Sequence, residues 1–136
     1  MRFLVVEDEF VSRRVLTRFL EAFGTVEIAV DGHEAMEAVK VALDEKDPYA
    51  VICLDVMMPR LDGQGTLRQI RKMERARGLK LGEGSKIIMV TGLNDSATVM
   101  AAFRGESDAF VVKPVDHARL VETLSSFGIK PRAVAA

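Results

Sequence analysis

The sequence predicts an α/β fold: one doubly wound sheet of five parallel strands, with five helices packed on its two faces. Three observations predict it. Short apolar, β-branched runs alternate with longer stretches of helical period, the pattern of strands joined by crossover helices. Runs such as FLVV, AVICL and IIMV lack polar alternation, as strands covered on both faces require. The chain has 136 residues, 49% hydrophobic and 29% charged, which suits a single hydrophobic core.

In chain order the strands are expected at Arg2–Val6, Thr25–Val30, Ala50–Leu54, Lys86–Val90 and Ala109–Val112. The first helix starts near Phe10 and places Val15, Leu16, Phe19, Leu20 and Phe23 on one stripe. Arg13, Arg14, Arg18 and Glu21 turn outward, and Gly24 stops the helix. Asp31 followed by Glu34 has capping-box spacing and opens a second helix that runs to about Glu45. Leu61–Arg77 reads as the third helix, Asn94 or Asp95 caps a fourth ending at Gly105, and Asp116 caps a fifth ending before Gly128. The long connection Gly78–Ser85 returns a helix to a strand, on the amino-end side of the sheet. The expected domain is residues 1–128, with 129–136 as a short tail.

The net charge of -1 provides no global field to gather nucleic acid or anionic membrane. The basic run Arg68, Arg71, Lys72, Arg75 and Arg77 is read as the solvated face of one helix. The single Cys53 lies in an apolar run, where a buried, inert thiol is expected. His33 and His117 stand at or near helix starts without a third ligand and are read as surface or capping residues. The opening MRFLVVEDE reaches acidic residues too soon for a signal-peptide core or membrane span, so a cytoplasmic location is expected.

In open parallel sheets the working site lies outside the carboxyl ends of the strands. Glu7, Asp8 and Glu9 follow the first strand, Asp55 the third, Thr91 and Gly92 the fourth, and Lys113 and Pro114 the fifth. Carboxylates from neighbouring strands repel in a partly desolvated cleft unless a cation or a retained proton offsets them. A hard divalent metal, Mg²⁺, suits such a set, because it takes a few carboxylate oxygens, water and a phosphate oxygen. Lys113 offers a positive point charge for a phosphoryl oxygen and Thr91 a hydroxyl donor. A carboxylate nucleophile in that company suits phosphoryl transfer. Any one of these residues alone is more simply a cap or a solvated side chain; their convergence on one edge carries the reading.

On these motifs, LVVEDE, LDVMMPRLDG, MVTG and FVVKP, the chain resembles a receiver domain of a two-component response regulator, similar to the single-domain chemotaxis type, over Met1 to Phe127. The resemblance implies a flavodoxin-like strand order 2-1-3-4-5 and makes Asp55 the phosphoacceptor. It implies that Glu7 and Asp8 support Mg²⁺, with Asp8 and Asp55 binding through side chains and Met57 through its carbonyl. Glu7 stands where aspartate is more common, and its longer arm is expected to act through a metal-bound water. Thr91 matches the switch hydroxyl, Lys113 the phosphate-contacting lysine, Phe110 the aromatic switch position, and Pro114 a proline preceded by a cis bond. Core packing is the plain alternative for Phe110. Met57 and Leu93 flank the family's path for attacking water, and both are apolar here, so a long-lived phosphorylated state is expected.

The resemblance implies a signalling phosphoacceptor that assists its own phosphorylation and dephosphorylation, not a metabolic enzyme. Its expected partners are a histidine kinase or histidine phosphotransfer protein and a downstream protein, with no direct nucleic-acid contact and no membrane insertion. A monomer or weak dimer is expected, pairing in this family through the face of the fourth and fifth helices. The sequence carries no output domain, and the ending RAVAA is read as favouring a natural end, the alternative being an excised domain followed by a DNA-binding or enzymatic output. Three other readings fit less well. A haloacid-dehalogenase-type phosphatase carries a second aspartate two residues after the first, where Met57 stands. A flavodoxin-like cofactor binder needs a phosphate loop where Glu7, Asp8 and Glu9 would repel phosphate. A pseudo-receiver typically lacks parts of the constellation that are all present here.

Overall fold

Five parallel strands form one sheet in the order β2-β1-β3-β4-β5. They are β1 (Arg2–Val6), β2 (Thr25–Ala29), β3 (Val51–Asp55), β4 (Lys86–Thr91) and β5 (Ala109–Val112). The structure, a computed structural model, describes residues 1–56, 63–80, 82–92 and 106–132. Among the described residues the helices are α1 (Phe10–Glu21), α2 (Gly32–Asp44), α3 (Gly63–Ala76) and α4 (His117–Ser126). The helix α4 is the fifth one expected from sequence; the expected fourth, through Gly105, lies outside the described residues, as do Leu61 and Asp62.

Alternation along the strands divides the core in two. Leu4, Val6, Ile52, Leu54, Ile87 and Met89 pack beneath α2 and α3, while Phe3, Val5, Val51, Cys53, Ile88 and Val90 pack beneath α1 and α4. Each such large side chain contributes roughly 1.5–3 kcal/mol when fully buried. Burial pushes the Cys53 thiol up to about 12, so it stays protonated as a small apolar group. No helix among the described residues is long and apolar enough to cross a membrane.

Helix starts follow local chemistry. The Asp31 side chain accepts from Glu34 N at 2.9 Å, and Glu34 Oε1 accepts from Val30 N at 3.1 Å, a reciprocal cap. Asp116 caps α4 through Arg119 N at 3.3 Å. Glu9 caps α1 by accepting from Val11 N at 3.3 Å and Ser12 N at 2.6 Å, a role the sequence reading did not give it.

Strand limits differ by a residue from expectation. Asp55 and Thr91 belong to the ladder, paired with Val90 and Val112, while β2 stops at Ala29 and β3 starts at Val51. Apolar runs mark burial, whereas the ladder is set by backbone pairing. A larger correction concerns Arg71, expected on a solvated face and found only 7% exposed. It donates to Glu74 at 2.8 Å, to the Ser85 and Glu106 carbonyls at 2.8 Å each, and to Asp108 at 3.0 Å. Gly84 has to be a glycine there, because a Cβ would overlap the Glu74 carboxylate.

Candidate functional site

Register sets the site. Val6 pairs with Leu54, and Leu54 with Met89, so the next residues, Glu7 and Asp55, stand side by side at the carboxyl edge. Pairing of Thr91 with Val112 puts the following Lys113 at the same edge. Strand alternation then separates two adjacent acids: Glu7 is 0% exposed, while Asp8 is exposed to solvent. Ligand oxygens of Glu7, Asp8 and Asp55 lie within 4.8 Å of one another.

Lys113 reaches back from the end of β5, its Nζ donating to Glu7 Oε1 at 2.5 Å and to Asp55 Oδ2 at 3.3 Å. The Lys113–Pro114 peptide bond is cis. Burial works against the ammonium charge, but the Glu7 hydrogen bond and the field of Asp55 outweigh it, and the Lys113 pKa is raised. Burial, reinforced by contact with Asp55 and opposed by Lys113, pushes Glu7 up to about 8. Glu7 Oε2 is buried without a hydrogen-bond partner. A buried, partnerless carboxylate oxygen beside two further carboxyl groups fits a divalent cation, because hard cations take this donor set.

The remaining residues frame this cluster. Thr91 is buried, and its hydroxyl donates to the Gly92 carbonyl at 3.1 Å. Phe110 is half-buried on β5, packed against the α2–α3 side of the core. Gly63 opens α3 against the acceptor strand, where a Cβ would overlap the Asp55 carbonyl. Met57 and Leu93 lie outside the described residues. His33 is exposed on α2, and the His117 ring centroid lies 4.8 Å from that of Phe19; neither belongs to the group of Glu7, Asp8 and Asp55 that could hold a metal. Sequence reasoning missed Arg13, whose guanidinium donates to the Glu7 carbonyl at 3.2 Å and the Asp8 carbonyl at 3.4 Å, tying α1 to the acidic turn. Its position one turn into the helix after that turn was the available signal.

Comparison with known proteins agrees with this arrangement. The response regulator receiver domain model matches residues 3–125, and the chain belongs to that family. Receiver domains are signalling phosphoacceptors of two-component systems. The osmosensing histidine protein kinase SLN1 of Saccharomyces cerevisiae is 31% identical over 129 residues, 93% of this chain and 10% of its own length. The sensory/regulatory protein RpfC of Xanthomonas campestris is 31% identical over 135 residues, 99% of this chain and 18% of its own length. The chain thus spans less than a fifth of either relative. The receiver domain of the histidine kinase CKI1 from Arabidopsis thaliana, complexed with Mg²⁺, superimposes with a TM-score of 0.80 at 30% identity, covering 93% of this chain and 90% of that one.

Proposed function

We propose that this receiver accepts a phosphoryl group on Asp55 from a histidine kinase or histidine phosphotransfer protein, in a Mg²⁺-dependent reaction in the cytoplasm. The observation that carries the reading is the meeting of Asp55 with Glu7, Asp8 and Lys113 around a buried carboxylate oxygen that has no partner.

Asp55 Oδ attacks phosphorus, a P–O bond forms, and the donor's N–P bond breaks with its electron pair returning to the imidazole nitrogen. Glu7, Asp8, Asp55 and the Met57 carbonyl would hold the cation, Glu7 through water. When bound, the cation neutralises charge on the phosphoryl oxygens. Lys113 already touches the acceptor and exchanges its 3.3 Å contact with Asp55 for a phosphoryl oxygen. Thr91 turns its hydroxyl from the Gly92 carbonyl towards the same group. Phe110 rotates into the space Thr91 leaves and alters the face that β5 and α4 present, where a partner protein reads the state. The chain thereby assists its own phosphorylation, and hydrolysis of the acyl phosphate returns it. In the family the positions of Met57 and Leu93 flank the path of attacking water, and both residues are apolar here, so Met57→Asn hastens decay of the phosphorylated form.

Intact mass after incubation with Mg²⁺ and acetyl phosphate or phosphoramidate tests the reading. A labile adduct of ~80 Da, one phosphoryl group, is expected, and Asp55→Asn or a chelator abolishes it. Absence of the adduct with both small donors and with a phosphorylated histidine kinase overturns the reading in favour of a partner-binding pseudo-receiver.

A further inference from the structure

We propose that the open β2 edge is a self-pairing face, where a second copy of this chain docks about a twofold axis parallel to β2. The strand β2 hydrogen-bonds only to β1, so its outer flank is unpartnered among the described residues. The helices α1 and α2 cover its two faces and give that edge opposite characters.

On the α1 side, a groove of about 360 Å³ runs between helix and strand, lined by Phe10, Ile28, Arg14 and Arg18 among others. Phe10 is 60% and Ile28 48% exposed. The Arg14 guanidinium lies 5.8 Å from the Phe10 ring centroid. Neither Arg14 nor Arg18 forms an ion pair among the described residues. On the α2 side the character reverses. Glu34, Val41 and Glu45 follow one another at helical spacing, with exposed Glu37 beside them and Val41 48% exposed. The opposite flank of α2 is taken by α3 through the 2.6 Å Asp44–Arg77 pair, so the acidic stripe turns to the open edge.

A twofold axis parallel to β2, in the plane of the sheet, exchanges front and back. It brings the basic, apolar α1 of one copy against the acidic, apolar α2 of the other, twice. Both helices run from the carboxyl to the amino edge, so Arg14, four residues past Phe10, stands level with Glu37, five past Gly32. An acidic or a basic partner protein would match one face of this edge; a second copy matches both. The same axis sets like backbone groups opposite one another, so side chains make the contact and no ladder joins the strands. Glu21 and Glu45 meet as like charges at the far end. A twelve-residue helix is only ~18 Å long, so the interface falls below the ~800 Å² per partner of a standard complex. The expected dimer is therefore weak and salt-sensitive.

Sedimentation equilibrium of the whole chain from about 10 μM to about 1 mM, in ~50 mM and ~0.5 M salt, tests this. The expected result is a reversible monomer–dimer equilibrium at least ~tenfold weaker in high salt. Ile28→Lys abolishes it. Arg14→Glu and Glu37→Lys each weaken it, and their equimolar mixture regains dimer, because one contact is restored with its signs exchanged and the other is the original Glu37–Arg14 pair. All three positions are exposed, and circular dichroism checks the fold of each variant. A monomer throughout, a dimer indifferent to the substitutions, or a mixture no tighter than its components overturns the proposal. None of these results bears on phosphorylation of Asp55.

Discussion

Arg71 and Lys113 are cations drawn into the protein at opposite edges of the sheet, and they differ in what surrounds them. At the amino edge, Arg71 meets two carboxylates and two carbonyls, and the second oxygen of Glu74 accepts from Ser85 N at 2.8 Å. Nearby, Arg2 pairs with Glu27 at 2.8 Å, whose other oxygen accepts from the Tyr49 hydroxyl at 3.0 Å. At the carboxyl edge, Lys113 faces a cluster of three carboxyl groups, and one buried Glu7 oxygen has no partner. The residue types are alike and the degree of satisfaction is not. A buried charge whose hydrogen bonds are complete fastens the fold, whereas an incomplete set is where a cation and a phosphoryl group find their interactions.

The largest effect should come from breaking the satisfied edge. Arg71→Met leaves Glu74 buried without its cation and is expected to cost ~3–5 kcal/mol, the range for removing one member of a buried pair, read from urea unfolding. Pairing it with Glu74→Met should recover much of the loss. A single-variant cost near that of a surface substitution would erase the contrast between the two edges.

At the incomplete edge the signature is pH dependence without metal. Glu7 holds its proton to about pH 8 in the fold, against a usual value of 4.5, so between those values the folded chain binds more protons than the unfolded one. Its contribution to stability is fully present below pH 4.5 and lost as pH rises through about 8. In chelator, wild type should therefore lose stability relative to Glu7→Gln over that interval, by on the order of 1–3 kcal/mol. Parallel curves would place Glu7 in ordinary solvent. The smallest effect belongs to Arg77→Ala, which removes the exposed Asp44 pair and should cost no more than ~0.5 kcal/mol.

The sheet was legible because FLVV, AVICL and IIMV carry their burial in composition, and the site was legible because strand ends fix which residues gather. Depth was harder to read. Glu7 and Asp8 are adjacent acids, and only strand direction decides that one is buried and the other exposed. Arg71 misled because helical periodicity sees one helix alone; its partners Glu106 and Asp108 lie 35 and 37 residues downstream. Arg13 was read as an outward residue because nothing in its own helix shows the carbonyls of the preceding turn.

The most direct measurement is the thermal midpoint of the unphosphorylated protein as Mg²⁺ is added, for wild type, Asp8→Asn and Arg77→Ala. A cation that binds only the folded chain stabilises it by ~2.7 kcal/mol at a hundredfold excess over its dissociation constant. Wild type and Arg77→Ala should rise together by several degrees while Asp8→Asn stays nearly flat. An equal rise in all three, or none in any, would contradict a cation site at Glu7, Asp8 and Asp55.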